Sequence, residues 1–227
     1  MLSFTLPAIF TSLFSLILPI ACIRCEIEGA IICPDCVTHF RDPRIFGGTF
    51  VNSKNFPTKI SSSLPYGEVV SRIVLGAKDD GNDRLQKIIV ESLLRARALF
   101  PTNLTLVPIP STSGARRRRG RDFVLEITKK VAYETGDCVE ELLISRRKSA
   151  PQKSLNARER IENMAGAFSC RSMRSDRISP LLIVDDVLTT GATMRAALRA
   201  LASSGATCTG AISAAYSPNW KVSQARY

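Results

Sequence analysis

The segment 181–194, LLIVDDVLTTGATM, constrains the fold of this chain more than any other stretch. Four apolar residues run directly into Asp185 and Asp186, and charged carboxyls are costly to bury unless they are paired or hydrogen-bonded. The four residues therefore predict a buried strand that delivers both acids to an exposed strand end. The small, hydroxyl-rich turn 189–193 then predicts the start of a helix, which is a natural position for a phosphate.

The pattern on either side of this segment predicts an α/β fold with a parallel sheet flanked by helices. Strand-like runs stand at 104–107, 139–144, 167–168, 181–184 and 211–215. Helical spacing of apolar residues marks 85–93, 123–131 and 194–201. Alternating strands and helices favour a parallel sheet, whose ligands bind at the carboxyl ends of the strands. Residues 41–65 are rich in Gly, Pro, Ser and Asn and predict a loose connection.

Four of the seven cysteines crowd into a short N-terminal window with the spacing C-x2-C-x7-C-x2-C. They are Cys22, Cys25, Cys33 and Cys36. Two facing C-x-x-C turns make the tetrahedral sulfur site of a structural Zn²⁺, with disulfides or an iron–sulfur cluster as alternatives. The spacing is typical of a metal site in a reducing compartment, which indicates a cytoplasmic protein. The short gap between the pairs predicts a compact hairpin with Gly29 near its tip.

Residues 2–21 are apolar but predict no membrane span. Prolines, serines and threonines interrupt the run, whereas a spanning helix needs about 20 predominantly apolar residues. No Lys or Arg precedes Arg24, so the basic start of a signal peptide is missing. A lipoprotein signal at 18–22 would consume Cys22, which the metal site needs. We therefore expect a short helix that packs against its own domain.

The net charge of +11 is concentrated in the part of the chain that carries the segment 181–194. Residues 61–227 hold 26 Lys and Arg against 16 Asp and Glu, a net charge of +10. This excess favours a polyanionic ligand such as a phosphorylated sugar, a nucleotide or a nucleic acid, although a solvated basic face carries the same charge. The single histidine, His39, stands in no Ser-His-Asp or Cys-His pattern. The motif G-x-x-x-x-G-K-[ST] is missing, which excludes a P-loop.

The acids and the turn together describe a site for a phosphorylated ribose. The turn 189–193 offers backbone N–H groups and hydroxyls to a phosphate, and Gly191 lets the backbone approach the ligand closely. The helix that starts near Thr193 adds the positive end of its dipole. Asp185 and Asp186 suit a vicinal diol, because they accept hydrogen bonds from two ribose hydroxyls. A phosphate at one end and diol acceptors at the other describe a ribose 5-phosphate.

The segment resembles the signature of type I phosphoribosyltransferases, which bind phosphoribosyl pyrophosphate (PRPP) with Mg²⁺. The apolar strand, both acids, both threonines, the glycine and the final threonine are all present in 181–193. A receiver domain also has adjacent acids after a strand, but near its N-terminus and without the TTGAT turn. The resemblance implies a glycosyltransferase in which Asp185 and Asp186 are catalytic. Within the turn it assigns PRPP binding to Thr189, Thr190, Gly191, Ala192 and Thr193.

The wider order of motifs is similar to the ComF family, phosphoribosyltransferase-like proteins associated with DNA uptake (competence) in bacteria. After the four cysteines come Tyr66-Gly67, Lys78, 107-VPIP-110, an arginine-rich Arg-Gly, 152-QKSL-155, 160-RIEN-163 and the PRPP motif. The order implies an apolar helix with a zinc hairpin over 1–45, a connection over 46–65 and a phosphoribosyltransferase-like domain over 66–227. Family members carry Arg-Gly-Phe-Asn-Gln where this chain has 119-RGRDF-123, so the resemblance assigns no role to Arg121 and Asp122.

The resemblance extends the site to two further loops. The stretch 108–120 corresponds to a pyrophosphate loop, and the polar stretch 145–163 to a lid that excludes water from PRPP. The further PRPP-binding residues are Pro108, Arg118, Arg119, Gly120 and Arg160. The arginine run 116–119 equally suits a solvated or nucleic-acid-binding turn, and an exposed helix is the alternative for 145–163. Lys78 fits the family pattern and equally suits plain surface.

Two functions follow from the resemblance. The first is Mg²⁺-dependent transfer of ribosyl 5-phosphate from PRPP to an acceptor. Hypoxanthine–guanine phosphoribosyltransferases have a general-base aspartate where this chain has Thr189, and threonine cannot do that work, so purine salvage is disfavoured. The second is an accessory protein without turnover that binds single-stranded DNA or a DNA-uptake helicase. A PRPP-responsive regulator and a homo-oligomer stay open as well.

Overall fold

A computed structural model describes residues 20–41, 46–53, 56–146, 166–171 and 180–218. Contacts divide the chain into two compact units, Met1–Asp42 and Pro43–Tyr227. The smaller unit carries the four-cysteine window, and the larger unit carries the segment 181–194.

The described part of the smaller unit is a turn closed by an isolated bridge, followed by helix α1 (Pro34–Arg41). Ala21 and Glu28 form an antiparallel bridge, so the chain reverses between them. Gly29 has a φ of 111°, but it follows the bridge rather than standing at the tip, which corrects the sequence-based expectation. Pro34 suits the first position of a helix because its φ is already fixed near the helical value.

The larger unit is built on a mostly parallel sheet, which confirms the predicted fold class. The strands are β1 (Phe46–Ser53), β2 (Phe56–Pro65), β3 (Thr105–Pro108), β4 (Cys138–Val139), β5 (Leu143–Ser145), β6 (Phe168–Cys170), β7 (Leu181–Leu188) and β8 (Cys208–Tyr216). Within the described ranges, the main sheet has the order β1-β2-β8-β7-β3-β4, and β5 pairs with β6 separately. In the main sheet β1 runs antiparallel to β2, while the other neighbouring pairs are parallel.

Helices cover both faces of this sheet. They are α2 (Glu68–Lys78), α3 (Asp83–Arg97), α4 (Ser113–Arg119), α5 (Phe123–Thr135) and α6 (Ala192–Ala202). Helix α3 packs on β2 and β8, and α5 packs on β3 and β7. Helix α6 shares a hydrophobic core with Leu181 and Ile183. The alternate residues Leu182 and Val184 are fully buried too, as expected for a strand covered on both faces.

Local sequence signals explain where these helices begin and end. The Asn82 side chain accepts the N–H groups of Arg84 and Leu85 at 3.1 and 3.2 Å, and so caps α3. Gly120 and Gly136 end α4 and α5 in the left-handed conformation, with φ values of 69° and 71°. Glycine adopts this conformation without the strain that a Cβ atom brings.

The structure differs from the sequence-based expectation at 46–65 and 139–144. The first stretch, predicted as a loose connection, forms β1 and β2, and β2 pairs in parallel with β8. Three buried residues of β2 are serines, Ser61, Ser62 and Ser63. The hydrophobicity pattern therefore did not indicate a core strand here. The second stretch, predicted as one strand, contributes the end of β4 and the start of β5, which belong to different sheets.

Three predicted features lie outside the described residues. They are the apolar segment up to residue 19, most of the predicted lid, and Arg160. In the ranges that the structure does describe, no helix is both long enough and apolar enough to cross a bilayer.

Candidate functional site

The two acids of the segment 181–194 lie where β7 runs past the end of its neighbour. Pro108, the last residue of β3, pairs with Val184, and the N–H of Ile109 donates to the Val184 carbonyl at 2.9 Å. Beyond that point β7 continues beside β8, as far as Leu188, which pairs with Tyr216. The two acids therefore lie beyond the end of β3, at the carboxyl edge of the sheet, which is the usual place for a ligand in such folds.

Asp185 and Asp186 are only 9% and 7% exposed, which corrects the predicted exposed strand end. Hydrogen bonds reduce the cost of their burial. Asp185 Oδ1 accepts the N–H of Asp186 at 2.9 Å, and Asp186 Oδ1 accepts the N–H of Val187 at 2.8 Å. Asp186 Oδ2 accepts a hydrogen bond from the ammonium of Lys78. The two acids are therefore held inside the strand by backbone donors and one cation.

The electrostatics of this acid pair favour one charge over two. Burial raises the pKa of Asp185 well above its ordinary value, the charge of Asp186 raises it further, and Lys78 offsets only part of the increase. Asp185 therefore holds a proton more tightly than a free aspartate, and a protonated carboxyl can donate as well as accept hydrogen bonds, which suits a ligand with neighbouring hydroxyls.

The turn after β7 is braced by the helix that it opens. Gly191 has φ 70° and ψ 5°, in the left-handed region, where glycine is the residue without strain. Thr190 Oγ1 accepts the N–H of Ala192 at 3.4 Å, and Arg195 Nη2 donates to the Thr190 carbonyl at 2.9 Å. The first-turn N–H groups of α6 lack intrahelical acceptors. With the positive end of the helix dipole, they suit an anion.

The arginines after β3 occupy two different environments. Arg118 is exposed on α4. Arg119 pairs with Asp79, and this hydrogen bond lowers the pKa of Asp79. Gly120 ends α4, and open space surrounds the position of a Cβ atom there. Arg119 therefore links α4 to the end of α2, whereas no hydrogen bond or ion pair among the described residues holds Arg118 in this way.

Arg121, a departure from the family pattern, ties the end of α2 to the start of α5. Its Nη2 donates to the carbonyls of Ala77 and Lys78 at 2.6 and 3.2 Å. Its Nη1 pairs with Glu126 at 2.6 Å, and its guanidinium lies 5.6 Å from the centre of the Phe123 ring. Arg121 thus has a structural role next to Lys78.

Asp122, the second departure, fixes the loop between β3 and α4. Its carboxylate accepts the N–H and the hydroxyl of Ser111 at 3.2 and 3.1 Å. Thr112 Oγ1 accepts the N–H of Ala115 at 3.3 Å and so caps α4. These contacts hold the predicted pyrophosphate loop, 108–120, in place.

The structure brings Pro108, Asp185, Asp186 and the turn 189–193 together at one edge of the sheet. It adds Lys78, which sequence reasoning identified only as a family match. The contact between Lys78 and Asp186 joins residues 108 positions apart, and no local pattern signals such a pair. The assignment of PRPP binding to Arg118, Arg119 and Gly120 stays a prediction.

In the smaller unit, the four predicted thiols converge. The Sγ atoms of Cys22, Cys25, Cys33 and Cys36 all lie within 4.8 Å of one another. The distance between the Sγ atoms of Cys25 and Cys33 is 3.7 Å, and a tetrahedral ZnS₄ site with bonds of about 2.3 Å has edges of about 3.8 Å. The N–H of Cys33 donates to Cys22 Sγ at 3.4 Å, the kind of contact that orients a metal ligand. The four residues fit a structural Zn²⁺.

The crowded thiols have divergent proton affinities. Burial raises the pKa of Cys22, but N–H groups of Cys25, Cys33 and Arg24 outweigh burial and lower it to about 6. For Cys25 the N–H of Ile27 lowers the pKa, but burial and the neighbouring thiols together raise it to about 12. A divalent cation among the sulfurs favours the thiolate form of all four.

Residues 120–222 match the family model described as phosphoribosyl transferase domain. The matched region contains Asp185, Asp186 and the turn 189–193. The matched region is similar to phosphoribosyl transferase domains. No curated protein sequence matches the chain.

Much of the chain is also similar to solved structures. Orotate phosphoribosyltransferase from Aeropyrum pernix has 16% identity and a TM-score of 0.36, over 78% of this chain and 78% of that one. Adenine phosphoribosyltransferase from Leishmania tarentolae has 16% identity and a TM-score of 0.38, over 77% of this chain and 86% of that one. Hypoxanthine phosphoribosyltransferase from Staphylococcus aureus has 14% identity and a TM-score of 0.31, over 68% and 69%.

Proposed function

We propose that the protein binds PRPP with Mg²⁺ and transfers its ribosyl 5-phosphate to a nucleophilic acceptor, as a cytoplasmic member of the ComF family. One observation supports this most: Asp185 and Asp186 stand where β3 has ended, directly before the turn that opens α6. The match of residues 120–222 to a phosphoribosyl transferase domain adds support.

In this proposal each part of PRPP meets groups of suitable chemistry. The 5-phosphate lies on the turn 189–193, where first-turn N–H groups and threonine hydroxyls are donors. The ribose hydroxyls bond to Asp185 and Asp186. The diphosphate extends toward the loop 109–112, because that loop follows β3 at the same edge of the sheet.

The same two carboxylates fit Mg²⁺ chemistry. Mg²⁺ binds one or two carboxylates, waters and substrate phosphates rather than an all-protein cage. When bound with PRPP, the ion supplies positive charge to the leaving diphosphate. Asp185 and Asp186 supply the carboxylate oxygens on the protein side.

In the transfer, the bond between C1 of the ribose and the diphosphate oxygen breaks, and its electron pair leaves with the diphosphate. The acceptor forms the new bond to C1 and loses a proton. The acid pair stabilises positive charge that develops on the ribose, and the turn holds the 5-phosphate in place, so positioning and electrostatics dominate. Thr189 is not a base at neutral pH, so the proton leaves the acceptor by another route.

Isothermal titration tests the proposal. The two ligands are PRPP and ribose 5-phosphate, each titrated in the presence of Mg²⁺. Asp186→Asn should weaken ribose 5-phosphate binding roughly tenfold, because a hydrogen bond to a charged acceptor is lost. Asp83→Asn is the matched control, since the Asp83 side chain is 91% exposed on α3. If millimolar PRPP produces no heat with the unmodified protein, the proposal fails.

We further propose that the four cysteines hold a structural Zn²⁺. The convergence of their Sγ atoms within 4.8 Å supports this. Metal analysis of the purified chain should give one zinc per chain, on the expectation that a closed four-sulfur site retains its ion. Cys22→Ser should abolish zinc retention, whereas Cys208→Ser, at a cysteine of the larger unit, should leave it unchanged. Zinc-free protein with unaltered folding of the smaller unit would contradict the proposal.

Exposed arginines on α4 favour a second candidate function, binding of single-stranded DNA in DNA uptake. Arg116, Arg117 and Arg118 are all exposed, and the whole chain carries +11. Phosphate contacts by arginines make affinity fall steeply with salt. A gel-shift series should show this dependence, and Arg116→Ser with Arg117→Ser should flatten it. The absence of any shift at low salt removes direct DNA contact and leaves a helicase-type protein partner as the accessory role.

A further inference from the structure

The ammonium of Lys78 binds the Asp186 carboxylate, to which the proposed function assigns a ribose hydroxyl. Its ammonium contacts Asp186 Oδ2, and the two side chains are 23% and 10% exposed. A ligand whose hydroxyls bond to Asp186 must therefore share this carboxylate with Lys78 or displace it. Displacement alone is costly, because it leaves a buried charge without its partner.

The backbone of Lys78 is fixed while its side chain is not. Arg121 donates to the carbonyls of Ala77 and Lys78 at 2.6 and 3.2 Å, and the next residue, Asp79, pairs with Arg119. The lysine side chain itself is a flexible four-carbon stem that ends in a compact charge. The ammonium can therefore change partners without movement of α2.

The position of Lys78 in the fold indicates where the ammonium goes. Asp79 binds Arg119 of α4, and α4 is opened by the loop 109–112 that follows β3. Lys78 thus contacts Asp186 from an α2 terminus that is linked to the predicted pyrophosphate loop. The loop 109–112 is also the one toward which the proposed function extends the diphosphate.

We propose that Lys78 leaves Asp186 and binds the diphosphate of PRPP, so that it is an internal counter-ion exchanged on ligand binding. The inference rests on the proposed function, since it takes PRPP as the ligand. On binding, ribose hydroxyls replace the ammonium at Asp186, and a diphosphate oxygen replaces the carboxylate at Lys78. Neither buried group is left without a partner.

The exchange makes the two halves of PRPP cooperate. Ribose 5-phosphate alone replaces the ammonium at Asp186 but offers Lys78 no diphosphate. Pyrophosphate alone attracts Lys78 but leaves Asp186 without a hydroxyl donor. PRPP satisfies both groups at once, and it is therefore the ligand that the Lys78–Asp186 pair selects.

The first test is titration of Lys78→Met with PRPP, pyrophosphate and ribose 5-phosphate, each with Mg²⁺. Affinity for PRPP and for pyrophosphate should fall about 10- to 100-fold, because a charge-assisted hydrogen bond is lost. Affinity for ribose 5-phosphate should not fall, because its hydroxyls no longer compete with the ammonium for Asp186. Lys78→Arg should restore part of the PRPP affinity. Lys129→Met, which removes one exposed charge from α5, controls for the change in net charge and should bind as the unmodified protein does.

A second variant reads the exchange from the other side and does not depend on how Lys78→Met folds. Asp186→Asn releases the ammonium, so pyrophosphate should bind on the order of tenfold more tightly, although ribose 5-phosphate binds more weakly. Unchanged or weaker pyrophosphate binding in Asp186→Asn overturns the exchange, as does unchanged PRPP affinity in Lys78→Met. If the unmodified protein binds none of the three ligands, the proposed function fails and the exchange with it. Binding by the unmodified protein with no effect of either variant overturns the exchange alone.

Discussion

Two ion pairs stand at opposite ends of the parallel sheet, one buried and the other partly exposed. Asp137 directly precedes β4 and accepts the N–H of Leu104, just before β3, at 3.0 Å. Its pair with Arg97 therefore lies at the amino ends of these strands, whereas the pair of Lys78 with Asp186 lies toward the carboxyl end of β7. The amino-end pair is 5% and 0% exposed in its side chains, the other 23% and 10%.

The two pairs differ in how completely they are satisfied. Arg97 binds both oxygens of Asp137, through Nε at 2.5 Å and Nη2 at 2.7 Å, and its Nη1 donates to the Phe100 carbonyl at 3.0 Å. Thr135 Oγ1 donates a further bond to Asp137 at 2.7 Å. Lys78, in contrast, offers a single ammonium to Asp186, and a second acid stands beside it.

The pKa shifts separate the two ends in the same way. Burial raises the pKa of Asp137, but hydrogen bonds from Arg97, Leu104 and Thr135 outweigh burial, and the net shift is downward. For Asp185 burial and the charge of Asp186 dominate, and the net shift is upward. A pair whose hydrogen bonds are complete is typical of a structural role, whereas a carboxyl whose pKa is raised by burial and a neighbouring charge is typical of a binding site.

The largest expected effect comes from the complete pair. Asp137→Ala leaves the Arg97 guanidinium buried without its partner and should lower the free energy of unfolding by about 3–5 kcal/mol. Urea unfolding followed by circular dichroism measures the loss. Thr135→Val, which removes one donor to the same carboxylate, is the milder matched variant and should cost about 1 kcal/mol. A loss for Asp137→Ala no greater than that for Thr135→Val would erase the contrast between the two ends.

The contrast also explains what the sequence could predict. The strand 181–184 and the turn with Gly191 were predictable because each depends on neighbours in the chain. Strand β2 was not, because its serines give no hydrophobic pattern and its partner strand, β8, comes from a distant part of the chain. The burial of Asp186 was not predictable either, since its counter-ion, Lys78, comes from a distant helix.

An intermediate effect is expected from the incomplete pair. Lys78→Met should lower the free energy of unfolding by about 1–2 kcal/mol, because Asp186 keeps its backbone donor when the ammonium is lost. The same urea titration, run beside Arg97→Met, measures the difference. Arg97→Met should lose clearly more stability, since it strips Asp137 of a bidentate partner. Equal losses would mean that both ends of the sheet are structural.

The smallest expected effect has the opposite sign. A carboxyl whose pKa is raised on folding binds its proton more tightly in the folded state, so stability falls as pH rises from the unfolded value toward the folded one. The unfolded value for Asp is about 3.9, and the pKa of Asp185 lies well above its ordinary value in the folded chain. At neutral pH the Asp185 carboxyl therefore lowers the free energy of unfolding, whether it takes up a proton or stays charged on folding.

Asp185→Asn removes that cost and should raise the free energy of unfolding at neutral pH by about 1 kcal/mol, while ligand affinity falls. The gain should shrink as the pH falls toward about 4, where the unfolded carboxyl is protonated as well. Asp137→Asn should behave oppositely, since a carboxylate with a lowered pKa stabilises the fold at neutral pH and loses this contribution as acid protonates it. Parallel urea titrations across this pH range compare the two variants. A loss of stability at neutral pH in Asp185→Asn would show that Asp185 stabilises the fold. It would contradict the prediction that this acid lowers stability in the absence of ligand.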